Sequence, residues 1–259
     1  MDLGLKGKRV IVTGGSKGIG KAILDKFVEE GASIATCARG PEALEKALDD
    51  WKSSGARVYG EALDVTDSEK YTSWLNNAVE FLGGLDIFIS NVSTRNTETG
   101  AQRWRQAFEV DFMQHMLAAE QAIPYLKESA QEGQSAAFVF ISSIASVMAN
   151  IMPIEHEYGV MKAALNGYCS QLAHRLADDG IRSNFVTPGP IYFEGGFWDQ
   201  VKHADPVLFG RAGKMSALQR HGTPEEVASA VVFLASPVAS YITGANLRID
   251  GGALKHTQS

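Results

Sequence analysis

The chain has 259 residues, 45% of them hydrophobic and 21% charged, a balance that excludes a disordered or fibrous protein. At this length roughly 70–75% of the unfolded chain's surface can be buried, so a core needs no disulfide or structural metal. A net charge of −6 and a pI near 5.5 argue against nucleic acid or an anionic membrane as partner, since both attract basic proteins.

No hydrophobic signal region precedes the charges of residues 1–9, and Cys37 and Cys169 lie in apolar segments with no second cysteine or histidine at ligand spacing. The expectation is a cytoplasmic protein with reduced cysteines and no metal site. Runs rich in β-branched residues at 9–13, 33–37, 58–63, 85–90, 137–142, 182–186 and 246–249 read as strands. Most are nearly filled with apolar residues, the pattern of parallel strands covered on both faces. Helical periodicity marks 17–30, 41–54, 67–81, 102–127, 156–179 and 224–235. Thr66 with Glu69, and Thr223 with Pro224 and Glu226, read as helix starts, while Gly31 and Gly180 read as stops. The alternation predicts an α/β fold: a single-domain doubly wound parallel sheet of Rossmann type over residues 1–259, about seven strands with helices on both faces.

Residues 136–154 carry no charge but hold serines, Asn150 and Pro153, so they read as a buried strand and loop rather than a membrane span. Residues 188–222 are too long for a connector and read as a substrate lid with short helices of its own. Phe193, Phe197, Trp198, Val207, Leu208, Phe209 and Met215 in it, with Ile151 and Met152, would favour an apolar or aromatic substrate, or would pack the lid or a subunit contact. The tail after Gly252 reads as polar and loose.

The first strand runs into Thr13-Gly14-Gly15-Ser16-Lys17-Gly18-Ile19-Gly20 and then directly into helical pattern. Glycines there allow a tight turn and close backbone approach to a phosphate, which the helix N-terminus favours electrostatically. The second strand ends at Arg39, with no carboxylate before Glu42. A carboxylate there would bind the adenosine ribose and repel a 2′-phosphate. Arg39 can instead pair with that phosphate, Lys17 adding a second charge on the same side, so NADP is expected over NAD. The alternative is two solvated surface charges.

Tyr158 and Lys162 lie four residues apart and share one helical face. A phenol normally ionises near pH 10, too high for acid–base work at neutrality. At about 4 Å and an effective dielectric near 20, a neighbouring ammonium stabilises the phenolate by about 4 kcal/mol before desolvation costs. Tyr158 is therefore the candidate general acid/base. His156 either faces the substrate or has a structural or solvent-exposed place.

Together these features resemble the short-chain dehydrogenase/reductase family, including its NADP-dependent 3-oxoacyl reductase-like members, over residues 5–252. The carriers are Thr13-Gly14 to Gly20, Asp64-Val65, Asn91, Ser142-Ser143, Tyr158 to Lys162, Pro188-Gly189, Thr243-Gly244 and Asp250-Gly251-Gly252. The resemblance implies an oxidoreductase moving a hydride between NADP(H) and a small ketone or secondary alcohol. It implies that Gly14, Ser16, Lys17, Gly18, Ile19, Gly20, Arg39, Asp64, Val65, Asn91, Tyr158, Lys162, Pro188, Gly189 and Ile191 hold the dinucleotide. It also implies that Ser143, or else Ser146, hydrogen-bonds the substrate oxygen, and that the chain forms a homotetramer or dimer through the helices carrying Asp111 and Tyr158. Asp111 stands where the family has an asparagine that anchors a relay water, unless it is an ordinary helix carboxylate. Asn91-Val92-Ser93 replaces Asn-Ala-Gly, and the threonine that follows Pro-Gly in the family is missing. The competing reading is a non-catalytic dinucleotide-binding sensor or scaffold.

Overall fold

Period-two packing organises the centre of the molecule. In β1 (Arg9–Thr13), Val10 and Val12 join one buried cluster and Ile11 the other. Strand β4 (Ile87–Ser90) and β5 (Ala136–Ile141) divide the same way, with Phe88, Phe138 and Phe140 on the Ile11 side. Alternate side chains leave a strand on opposite faces, so an unbroken apolar run is what a sheet buried on both sides requires. The rings of Phe88 and Phe138 lie 4.9 Å apart, and those of Phe138 and Phe140 lie 4.6 Å apart.

The computed structural model describes residues 1–94, 98–148 and 156–255. Strands β2 (Ser33–Ala38), β3 (Val58–Ala62), β6 (Ile181–Pro188) and β7 (Asn246–Ile249) complete a seven-stranded sheet, ordered β3-β2-β1-β4-β5-β6-β7. Every neighbouring pair is parallel. Helices α1 (Gly18–Glu29), α2 (Pro41–Ser53) and α9 (Pro224–Ala235) seal one face with Phe27, Trp51 and Val231. Helices α3 (Ser68–Leu82), α5 (Gln114–Gln131) and α6 (His156–Leu176) seal the other with Trp74, Leu126 and Leu172. Strand order reverses between β1 and β4, so their carboxyl ends border the crevice in which such sheets take ligands.

Strand β6 is buried along its whole length although it contains Arg182, Ser183, Asn184 and Thr187. Asn184 binds the Ile242 carbonyl and the Ala245 amide, and Thr187 binds Asn246, which docks the closing segment. Arg182 donates to the carbonyl oxygens of Leu234 (2.6 Å), Ala235 (3.1 Å) and Ser236 (3.0 Å) at the end of α9. A cation there complements the helix dipole and satisfies terminal carbonyls. Arg182→Met is expected to cost about 2–3 kcal/mol by orphaning these acceptors, and so to lower Tm by roughly 5–10 °C in calorimetry. A shift under about 2 °C would show that the carbonyls find other donors.

Several sequence expectations meet the structure here. The capping box at Thr223 and Glu226 forms, and Gly31 and Gly180 take left-handed φ of +79° and +72°. The cap placed at Thr66 is instead Asp67, which accepts from the Lys70 amide, because Asp64 already engages the Thr66 amide and hydroxyl. The helix read over 102–127 divides into α4 (Gly100–Phe108), a π turn (Glu109–Met113) and α5. The tail is not loose at its start: Ala253 and Leu254 are buried against Ile144, and the Asp250 carboxylate accepts from the Gly252 and Leu254 amides. Two apolar side chains outweigh the polar residues around them. The 188–222 segment does carry helices of its own, α7 (Phe197–Ala204) and α8 (Pro206–Met215). No helix among the described residues is long and apolar enough to cross a membrane.

Candidate active site

At the crevice, β1 turns through Gly14-Gly15-Ser16-Lys17 into α1. Gly18 has φ of +57°, a conformation that favours glycine, and a Cβ on it would lie 2.5 Å from the Phe193 ring. A Cβ on Gly20 would collide with the Gly14 carbonyl oxygen and lie 2.6 Å from Asn91 Nδ2. Asn91 Nδ2 donates to the carbonyl oxygens of Thr13 (3.0 Å) and Gly14 (3.2 Å), tying the turn to β4. Helix α1 begins with no side-chain cap and no acidic residue in its first turn. Its N–H groups and partial positive charge therefore suit an anion, and this cradle fits a dinucleotide pyrophosphate.

The other expected cofactor residues line the same carboxyl edge. Ser16 and Ile19 are half-buried in the turn and Lys17 is exposed on it. Arg39 is exposed just beyond β2, with no hydrogen bond or ion pair to the described residues. Asp64 is exposed beyond β3 and Val65 is buried. The Gly189 amide follows Pro188 and donates to the Ile249 carbonyl, while buried Ile191 bridges to Gly222.

The second group of residues gathers around Lys162, which is 1% exposed. Its Nζ lies 5.7 Å from the centre of the half-buried Tyr158 ring. The ammonium donates to the Ile141 carbonyl (3.2 Å) and stands 3.7 Å from Asp111 Oδ1. Burial pushes the Lys162 pKa below its ordinary value, and the Asp111 charge pulls it partly back. The π turn rotates Asp111 inward until it is 0% exposed, where Oδ1 also accepts from the Ser93 hydroxyl (2.8 Å) and the Thr94 amide (3.2 Å). Such bulges recur at functional sites.

The three serines after β5 divide by hydrogen bonding. Ser142 donates to Asn166 Oδ1, and Ser146 donates to the Ser143 carbonyl while accepting from Asn166 Nδ2. The Ser143 hydroxyl accepts from the Ala145 amide (3.1 Å), and its own proton has no acceptor among the described residues.

Sequence reasoning missed His115, Ser90 and Asn166. His115 is fully buried, with Nε2 3.2 Å from Lys162 Nζ and Nδ1 2.6 Å from Ser90 Oγ. The available signal was its spacing of one helical turn from Asp111, on a helix face otherwise carrying Ala118, Ala119, Ala122, Ile123 and Leu126. His156 is exposed at the start of α6. Within residues 188–222, Phe209 stacks on His221 at 4.1 Å, Tyr192 meets the Phe209 edge at 5.5 Å, and Trp198 is buried. Those rings pack one another, whereas Phe197 and Val207 are exposed. Ile151 and Met152 lie outside the described residues. No cluster of potential metal ligands occurs among the described residues, and both cysteines are buried and unpaired, burial pushing the Cys37 thiol up to about 12.

Comparison with known proteins bears on this geometry. The family model for Enoyl-(Acyl carrier protein) reductase matches residues 14–253. The isoepoxydon dehydrogenase of Penicillium expansum is 35% identical over 263 aligned residues, covering 100% of this chain and 99% of that protein. An NADPH-bound short-chain oxidoreductase from Pseudomonas aeruginosa, described as containing an atypical catalytic center, superposes with a TM-score of 0.84 at 29% identity, covering 97% and 99% of the two chains. A 7α-hydroxysteroid dehydrogenase complexed with NADH and 7-oxo glycochenodeoxycholic acid gives 0.86 at 26% identity, covering 98% and 97%. The glycine turn, the Tyr158–Lys162 pair and this full-length likeness place the chain in the short-chain dehydrogenase/reductase family, oxidoreductases that pass a hydride between a nicotinamide dinucleotide and an alcohol or ketone.

Proposed function

We propose that this chain is an NADP(H)-dependent carbonyl reductase or alcohol dehydrogenase in which Tyr158 is the general acid/base. The observation that carries the reading is the buried Lys162 ammonium 5.7 Å from the Tyr158 ring. When bound, the nicotinamide supplies or accepts the hydride. In the reducing direction Tyr158 gives its phenolic proton to the substrate oxygen, and the Lys162 charge favours the phenolate left behind. The spare hydroxyl proton of Ser143 bonds the same oxygen as negative charge develops on it. Asp111 balances Lys162 and keeps a charged residue tolerable at zero exposure.

Arg39, exposed at the rim beyond β2 with no carboxylate among the last residues of that strand, supports a 2′-phosphate and hence NADP. Arg39→Asp is expected to lower kcat/KM for NADPH by about 10²-fold while sparing NADH, through lost charge-assisted bonds and added repulsion. Steady-state rates with both cofactors check this, and an unchanged NADPH/NADH ratio would remove Arg39 from the site.

A cavity of about 410 Å³ is walled by Val147 and Met148, which follow β5, and by Met215, Ala253 and Leu254, with Lys214 and Lys255 also lining it. That wall supports an apolar ketone. Exposed Trp104, Phe108, Leu117 and Val160 on α4, α5 and α6 support self-association through those helices. NADPH oxidation measured against acetophenone, cyclohexanone and a quinone tests the whole reading. Tight NADPH binding with no turnover on any of them would instead mark a dinucleotide sensor.

A further inference from the structure

The chain Ser90–His115–Lys162–Asp111 joins β4, α5, α6 and the π turn, and none of the four residues is more than 1% exposed. Packing alone does not account for it, because an apolar side chain would fill this space without the cost of burying an imidazole beside an ammonium. The contact is chemically selective. Lys162 has only donors, so Nε2 of His115 can face it at 3.2 Å only as an unprotonated acceptor. The ring proton then sits on Nδ1, 2.6 Å from Ser90 Oγ.

We propose that His115 is a positioning residue for the acid–base pair: as the neutral Nδ1–H tautomer it accepts a hydrogen bond from Lys162 and holds that ammonium, charged, beside the Tyr158 ring. The proposal rests on reading Tyr158 and Lys162 as the reacting pair. Burial first, and the Lys162 charge second, keep His115 well below its ordinary pKa, with a Val92 backbone hydrogen bond opposing them. The ring therefore stays neutral in the working range. The groups around Lys162 are Asp111 from the π turn, His115 from α5, the Ile141 carbonyl from β5, and Tyr158 and Cys169 from α6 itself. Asp111 supplies opposite charge at 3.7 Å, whereas His115 supplies a directed neutral acceptor at 3.2 Å. Ile141 and His115 together hold two N–H bonds of the ammonium.

Histidine ¹⁵N NMR on the unmodified enzyme gives a first test, with His115→Gln assigning the resonance. The expected result is an Nδ1–H tautomer that is neutral at neutral pH and stays so as the pH is lowered past the ordinary imidazole range. An Nε2–H tautomer, or a protonated ring at neutral pH, overturns the proposal. The second test is the pH profile of kcat/KM for alcohol oxidation with NADP⁺, using the alcohol of whichever panel ketone is turned over. Without its acceptor the ammonium is less stable, so it titrates lower and the phenol higher. His115→Leu should therefore move the rising limb up by about one pH unit, a tenfold loss below it. His115→Gln, whose amide oxygen can reach the Nε2 position, should restore the limb to within about threefold. A folded His115→Leu enzyme with the original limb, or failure of His115→Gln to restore it, overturns the proposal; should His115→Leu not fold, the tautomer decides. Retention of full activity by Tyr158→Phe would instead overturn the acid–base reading, a separate outcome from either His115 result.

Discussion

Tyr158→Phe is expected to lower turnover of ketones with NADPH by about 10³-fold, the range that a positioned proton donor contributes. The change removes one hydroxyl and keeps the ring that Lys162 lies against at 5.7 Å. Lys162 keeps its bonds to Ile141 and His115, and Asp111 keeps its bonds to Ser93 and Thr94, so the surrounding geometry survives. The lost proton donor must then appear in kcat rather than in cofactor affinity. Stopped-flow single turnover, paired with NADPH fluorescence titration, separates the two. A loss below tenfold would mean that another group delivers the proton, and Ser143, whose hydroxyl proton has no acceptor among the described residues, would be the next to change.

The second large effect is expected at the opening turn. Gly20→Ala should weaken NADPH binding on the order of 10²-fold, because the added methyl meets fixed backbone at the turn proposed to hold a phosphate. The Gly14 carbonyl cannot give way cheaply, since it accepts from Asn91 Nδ2 and the Gly14 amide bonds the Cys37 carbonyl. Relief has to come from moving the start of α1 away from β4, which displaces the N–H groups that face the crevice. Gly210→Ala is the control: it lies in α8 with nothing within 4 Å of a Cβ, and it should stabilise the helix by up to about 1 kcal/mol. Isothermal titration with NADPH reads both variants. Equal affinities would show that the turn tolerates a side chain and that the phosphates rest elsewhere.

What was legible beforehand depended on residues close together in the chain. Strand runs, helix periods, the glycine turn and the Tyr158–Lys162 spacing are all local patterns, and each lies in the structure near where its pattern placed it. The Thr66 cap failed for a local reason as well: Asp64, Thr66 and Asp67 compete for the same few amides, and periodicity does not rank them. The tail was misread because burial of Ala253 and Leu254 depends on Ile144, more than 100 residues away.

By itself, the sequence determined the parallel sheet, the glycine turn after its first strand and the spacing of the candidate phenol and ammonium. Only the tertiary structure decided that a π turn brings Asp111 to Lys162, that Ser146 donates its proton to the Ser143 carbonyl while the Ser143 proton has no acceptor among the described residues, and that His115 meets an ammonium 47 residues away. The reason is physical. Helices and strands follow from the period of neighbouring side chains, whereas a buried charge is set by whatever distant groups the packed layers bring within hydrogen-bond reach of it.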